Sequence, residues 1–375
     1  MNVLHLSAVK IWGGGENHIV NLCRELEDLA PEVKNFILCK ENSDFHLLLK
    51  NEDFEVISAP LAYKLDLRYV KKIISSCKKN SIDLIHIHDS TALALAVLAD
   101  KFSDLPPFIL SKKTSFPIRP RRRTLFKYNY SKIQKILCVS HFTKKIAAQS
   151  IVDPHRLQVI YHGTRFKNIS RKSPFWIRSK YNLPKKAFLV GNIANHIEAK
   201  DLETLVRTAH ELVNLKHRKD LFFIQIGNFS KLTGSLKNLV TEFSLEKHVL
   251  FTDYIPTASA LIPQLDAMLI TSEMEGIPQV IYESFYHGVP VVSTNVGGIP
   301  EVIDDKVNGL LSDPHDQIAL AENLLFLMDN PQVIPNFAKI SKERVEKHFT
   351  SQIMASKTLL EYKKATNGRL HGRTE

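Results

Sequence analysis

No stretch of this 375-residue sequence is long and apolar enough to span a bilayer: the run around ALALAVLA ends at Asp100, short of the ~20 residues required. Any membrane contact is therefore expected to be peripheral. Cysteine is sparse as well. Cys23, Cys39, Cys77 and Cys138 are widely spaced and form no CxxC pair, a pattern that fits reduced core residues in a reducing cytoplasm better than a disulfide scaffold and leaves room for one incidental bridge at most. The start lacks the basic segment, apolar stretch and cleavage site of a secretory signal, since strand-like VLHLS follows Met1 almost at once. No short repeat recurs. Acidic residues are missing from Leu105 through Val152, and within that stretch Lys112 to Lys145 carries eleven Lys or Arg residues, equal to the whole +11 net charge. So local an excess points to an anionic partner of one lobe rather than to general solubility.

What is present fits a soluble globular chain, with 44% apolar and 24% charged residues. Its length predicts about two domains. The short β-branched runs VLHLS, FILC, FEVIS, DLIHIH, KILCVS and LQVIY alternate with helical patterns in the first half. FLVGNIA, LFFIQIG, VLFTDY, AMLITS, PVVST and GLL restart the alternation in the second. Each series predicts a doubly wound parallel sheet, the two facing each other across a cleft. The expected boundaries are 1–166 for an acceptor-binding domain, 167–186 for a linker and 187–348 for a nucleotide-sugar-binding domain. Residues 349–375 are expected to form a helix packing back on the first domain, with a frayed tail.

In such sheets ligands bind outside the carboxyl ends of the strands. The segment TSEMEGIPQVIYESFYHGVPVVSTNVGGIPEVI follows a strand there, with Pro278 placed to open a helix and Gly288 to close it. The free N–H groups at that helix start suit a diphosphate. Glu275 lies in the loop, and Glu283, eight residues on, is placed to accept hydrogen bonds from ribose hydroxyls. Gly297 and Gly298 form a second close-approach turn. In the first half WGGGENH follows the first strand, so that Gly13, Gly14 and Gly15 let the backbone approach a ligand. His86 and His88 share a face of one strand, with His88 nearer its end. No ligand cluster at recognisable spacing marks a metal site.

These motifs resemble the retaining nucleotide-sugar glycosyltransferases of family four, the glycogen-synthase and mannosyltransferase-like group, whose GT-B fold is two facing Rossmann-like lobes. The E-x7-E signature matches Glu275 and Glu283, and the glycine pair with Pro-Glu matches Gly297, Gly298, Pro300 and Glu301. The resemblance implies that Glu275, Gly276, Ile277 and Pro278 contact the donor, that Glu283 holds the ribose, and that Tyr254 and Ile255 flank the base. Lys200 takes the place of the diphosphate lysine. Asn195 stands where an arginine is common, with His196 beside it, and Gly14 and Gly15 match the glycine loop; all four are expected among the donor-binding residues. Glu16 ends that motif on the acceptor side. Where relatives carry a histidine after the strand FILSK, this chain has Ser111, Lys112 and Lys113.

The implied reaction is same-face attack by an acceptor hydroxyl, the leaving phosphate taking its proton, with Glu275, Lys200 and His88 as the catalytic candidates and Glu275 not a nucleophile. With no DxD motif, neither a metal nor another cofactor is expected. The implied substrate is a hexose or N-acetylhexosamine on UDP, or on GDP, and the acceptor a glycan or lipid-linked hydroxyl in envelope polysaccharide or lipopolysaccharide synthesis. Arg119, Arg121, Arg122 and Arg123, interleaved with aromatics, suit an anionic membrane surface, expected to be the cytoplasmic face of the inner membrane. Two other readings stay open: a nucleotide-sugar epimerase of similar architecture, and a nucleic-acid-binding protein using RPRRRTLFKYNY.

Overall fold

The computed structural model describes residues 1–10, 13–166 and 172–370. They divide into two units, one of residues 1–163 with the chain from Ser351 on, the other of residues 164–350. In the first, β1 (Asn2–Leu6), β2 (Lys34–Lys40), β3 (Glu55–Ala59), β4 (Leu84–Ile87), β5 (Phe108–Lys112), β6 (Ile133–Cys138) and β7 (Leu157–Val159) form one sheet in the order β3-β2-β1-β4-β5-β6-β7. In the second, β8 (Phe188–Ile193), β9 (Leu221–Ile226), β10 (Val249–Phe251), β11 (Ala267–Ile270), β12 (Val291–Thr294) and β13 (Leu310–Ser312) are ordered β10-β9-β8-β11-β12-β13. All the pairings are parallel.

The strand sequences show why. A parallel sheet covered on both faces needs runs with little alternation, and LIHI of β4 and LFFIQI of β9 are buried at every position. Polar residues inside them are tolerated because they are paired: Gln225 in β9 donates to the Ala194 carbonyl at 2.6 Å and accepts from His196. Helix starts follow the strand ends with side-chain caps. Asp89 accepts from the N–H groups of Thr91 and Ala92, both at 2.9 Å, to open the helix Ser90–Asp100. Its other oxygen accepts from Ala8 N at 2.7 Å, which joins the end of β1 to the end of β4.

The order of strands reverses direction between β1 and β4 in the first unit and between β8 and β11 in the second. The loops leaving those pairs diverge and open a crevice at the carboxyl edge. The glycine loop and His88 lie at the first such edge, Lys200 and Glu275 at the second.

From residue 172 the segment expected to be a linker is tied to the second unit. Ile177, in the short helix Ile177–Lys180, is fully buried. Its N–H donates to Gln264 at 2.8 Å, and Arg178 pairs with Asp266 at 3.0 Å. The Ser, Lys and Pro around it hide that single apolar anchor in the sequence. Residues 167–171 of the segment, Trp12 of the glycine motif and residues 371–375 of the tail lie outside the described residues. The last helix, Ser351–Leu370, belongs to the first unit. There Met354, Ala355 and Tyr362 pack with Val3, Leu22, Leu26 and Leu84, and Ser351 donates to Glu25 at 2.7 Å. Among the described residues no helix is long and apolar enough to cross a membrane.

Candidate functional site

In the second unit three loops lock together at the carboxyl edge. The loop after β8 carries Lys200, whose ammonium pairs with the Glu275 carboxylate from the loop after β11. That carboxylate also accepts from Ser272 at 2.7 Å, Thr271 donates to the Lys200 carbonyl at 3.0 Å, and Glu273 N donates to the Ala199 carbonyl at 3.1 Å. The loop after β12 completes the arrangement: Thr294 donates to the Ser272 carbonyl at 2.6 Å, and Gly298 N to the Gly276 carbonyl at 2.8 Å. Gly297 lies at φ +60°, and a Cβ there would run into the Glu275 carbonyl. Glycine is therefore required twice over, for conformation and for space.

Pro278 caps the helix Gln279–Tyr286 without a side-chain acceptor, and the Ile281 N–H turns back to the Pro278 carbonyl at 3.1 Å. Glu283 lies on that helix, part-buried, beside the fully buried Tyr282, which stacks on Phe349 with ring centroids 4.9 Å apart. Desolvation pushes the Glu283 carboxyl up to about 7. Gly288 ends the helix at φ +72°. Tyr254, 46% exposed, and Ile255 follow β10 at the same edge of the sheet, two strands from β8.

Two residues expected to touch the donor are engaged elsewhere. His196 is buried, with Nε2 2.7 Å from Gln225 and Nδ1 2.9 Å from Thr233, so neither ring nitrogen is left for a phosphate. Asn195 accepts from both the backbone and the side-chain nitrogen of Asn228 at 3.1 Å and braces the loop after β9. Lys200, paired with Glu275, places a cation at this edge.

In the first unit the register of β1 and β4 sets His5 beside His86, and His18 and His162 join them near His88. His86 bridges Tyr362 of the last helix at 2.5 Å and Ser111 at 2.8 Å, as a satisfied core histidine. Asn35 donates to the Cys23 carbonyl, which turns its oxygen toward His5 Nε2 at 3.1 Å. His5 Nδ1 lies 3.0 Å from His88 Nε2, so the two rings share one hydrogen bond. His88 Nδ1 is buried and without a hydrogen-bond partner. Burial holds His5, His18, His86, His88 and His162 below the usual imidazole range. Ligand nitrogens of His5, His86 and His88 lie within 4.8 Å of one another, a proximity the spacing HIHD does not disclose. Both nitrogens of His5 and His86 already have hydrogen-bond partners. The missed member, His5, was visible only as an unexplained polar residue within VLHLS.

Gly14 and Gly15 open the helix Gly14–Leu29, and Glu16 is buried in its first turn, its carboxyl raised by desolvation. Lys113 donates to the Gly15 carbonyl at 2.7 Å. Lys112, also expected at the acceptor or membrane surface, is buried instead and donates to the Thr114 carbonyl and hydroxyl and the Phe116 carbonyl, bracing its own loop. Arg119, Arg121, Arg122 and Arg123 are exposed, as are Phe116 and Phe126.

Gly297→Ala is expected to lower stability by about 2 kcal/mol or more and to speed amide exchange across 272–278. Gly288→Ala, whose added Cβ meets only Ala338 at 3.5 Å, should cost about 1 kcal/mol and leave that exchange unchanged. Denaturant unfolding and hydrogen exchange read both. Equal effects of the two variants would mean that the loops do not interlock through Gly297.

Residues 176–346 match the sequence model of glycosyl transferases group 1, and residues 12–166 that of glycosyltransferase family 4. The chain is 22% identical over 322 residues to N-acetyl-alpha-D-glucosaminyl L-malate synthase of Bacillus anthracis, covering 84% of this chain and 82% of the relative. It is 19% identical over 278 residues to the UDP-Gal:alpha-D-GlcNAc-diphosphoundecaprenol alpha-1,3-galactosyltransferase of Escherichia coli, covering 71% of each. Among solved structures, Anabaena Alr3699/HepE in complex with UDP and glucose superposes with a TM-score of 0.84 at 19% identity, covering 97% of this chain and 100% of that one. With both of its parallel-sheet units accounted for in this way, the chain belongs to the family 4 glycosyltransferases of GT-B fold.

Proposed function

We propose that the protein transfers a hexose or N-acetylhexosamine from UDP to a hydroxyl of a glycan or lipid-linked acceptor in envelope polysaccharide synthesis, with retention of anomeric configuration. The carrying observation is the Lys200–Glu275 pair at the switch point of the second sheet, beside a helix start without a side-chain cap. A diphosphate offers Lys200 a stronger partner than one carboxylate and would sit at the positive end of the helix dipole. Glu275, released from the ammonium, turns its carboxylate to the sugar hydroxyls. Relatives support UDP as the nucleotide: the E. coli galactosyltransferase is named for a UDP-Gal donor and the Anabaena protein was crystallised with UDP.

In this reading the acceptor hydroxyl attacks the anomeric carbon from the face the diphosphate leaves. The bond to the diphosphate oxygen breaks, and that oxygen takes the hydroxyl proton, so no protein base is required. Lys200 and the helix amides stabilise the charge that develops on the leaving group. No metal enters the scheme. Glu283 accepts the ribose hydroxyls and does so as a carboxylate. Its raised value of about 7 means that it is ionised above neutrality and protonated below, so donor affinity falls as pH falls. The exposed arginines and phenylalanines around Arg121 and Phe126 fit an anionic headgroup layer, each cation contributing about 1 kcal/mol.

The test is a panel of UDP- and GDP-sugars with glycan and lipid-linked acceptors in excess EDTA, the product anomer read by NMR. A UDP-sugar should be turned over with retention, its KM rising about tenfold from pH 8 to pH 6, as expected for one carboxylate titrating near 7. Glu283→Gln should raise KM and flatten that profile. Inversion, metal-restored activity or isomerisation without acceptor would each reject the scheme. Membrane docking is checked separately by sedimentation with anionic vesicles. Reversing Arg121, Arg122 and Arg123 to Glu should abolish binding at low salt, and unchanged binding would remove that role.

A further inference from the structure

Directly after Lys200 the backbone leaves the ordinary regions. Asp201 lies at φ +41° and ψ 57°, in the left-handed conformation, which costs a residue with a Cβ about 1 kcal/mol or more. Helix capping does not call for it. Asp201 caps the helix Leu202–His210 by accepting from Thr204 N at 3.2 Å. Ser43, Asp66, Asp89 and Ser140 cap their own helices from extended backbone, as cap residues usually do. The bend in Asp201 lies between the turn that carries Lys200 and the helix, so it sets the direction in which that turn stands off the helix.

The Asp201 carboxylate is held beyond what a cap requires. The Thr204 hydroxyl donates to it at 2.6 Å, and His315 Nδ1 lies 2.8 Å from the same oxygen. A carboxylate only accepts, so Nδ1 is the donor. His315 reaches it from the loop after β13, 114 residues further along the chain. Its own backbone is left-handed, at φ +63°, beside Asp316, which caps the helix Gln317–Asp329 by accepting from Ala319 N at 2.9 Å. The loop after β13 thereby joins the three loops that lock together at this edge. The Asp201 side chain is 11% exposed and that of His315 61%. A pair with one partner so open to water contributes little to stability. Its consequence is geometric: on one side the Lys200 carbonyl is tied to Thr271 at 3.0 Å, and on the other the next residue is tied to His315.

We infer that Asp201 and His315 are positioning residues for Lys200, their hydrogen bond holding the left-handed turn that keeps the ammonium where the donor diphosphate binds. The inference rests on the reading of Lys200 as the diphosphate cation, and it adds the loop after β13 to the parts on which donor affinity depends.

The experiment measures the affinities of UDP and uridine by calorimetry for wild type, His315→Gly, His315→Asn, Lys200→Met and the double variant Lys200→Met/His315→Gly. Glycine keeps the left-handed backbone and removes the donor. Asparagine also accepts that backbone and brings an amide N–H near the place of Nδ1. His315→Gly should lose about fivefold or more of the preference for UDP over uridine, with uridine binding unchanged, and His315→Asn should recover most of it. In the Lys200→Met background His315→Gly should lower the preference no further, because no ammonium is left to direct. An undiminished preference in His315→Gly, where Lys200→Met loses its own, overturns the inference and leaves the donor reading standing. Equal losses for UDP and uridine, or additive losses in the double variant, overturn it as well. If Lys200→Met keeps the full preference, the donor reading falls and the inference falls with it.

Discussion

The ion pair between Lys200 and Glu275 joins the two loops on which the second unit's site is built. Both side chains are largely out of water, at 23% and 11% exposure, so the attraction is offset by the cost of desolvating two charges. Such a pair contributes little net stability, yet removing either partner alone would strand a charge. The hydrogen bonds from Thr271 to the Lys200 carbonyl, from Glu273 N to the Ala199 carbonyl and from Thr294 to the Ser272 carbonyl hold the loops in place whichever partner the ammonium has. The arrangement is suited to an exchange in which a stronger anion replaces the carboxylate without moving the backbone.

The first unit repeats the topology with different chemistry at its edge. Its switch point gathers neutral imidazoles and the Lys113 ammonium, where the second unit has the Lys200–Glu275 pair. One architecture with two chemistries is what a transferase needs, a place for a diphosphate and a place for a nucleophile. The fold supplies the edges, and the loops decide what binds there.

Much of this was legible in the sequence because it is local. Twelve of the thirteen strands among the described residues announced themselves as short apolar runs, β5 entering only through the resemblance, and Pro278, Gly288 and Gly297 marked turns through backbone requirements that few other residues meet. Glu275, Glu283 and Lys200 could be placed on loops or a helix start by their distance from those runs. What was not legible depends on partners far along the chain. Nothing near Lys112 says that its ammonium folds back on the Phe116 carbonyl, and nothing near His196 predicts that Gln225 and Thr233 take both ring nitrogens. The histidine cluster needs the register of β1 against β4, which no spacing within VLHLS or DLIHIH contains. Ile177 was lost because one buried side chain makes no period.

The central claim is that Lys200 passes from Glu275 to the diphosphate of the donor. Its most direct measurement compares the affinities of UDP and uridine for wild type and for Lys200→Met. The account predicts that wild type prefers UDP by about a hundredfold or more, as two charge-assisted contacts would give. It predicts that Lys200→Met loses at least about tenfold of that preference, with uridine binding unchanged. An undiminished preference for UDP in Lys200→Met would contradict it.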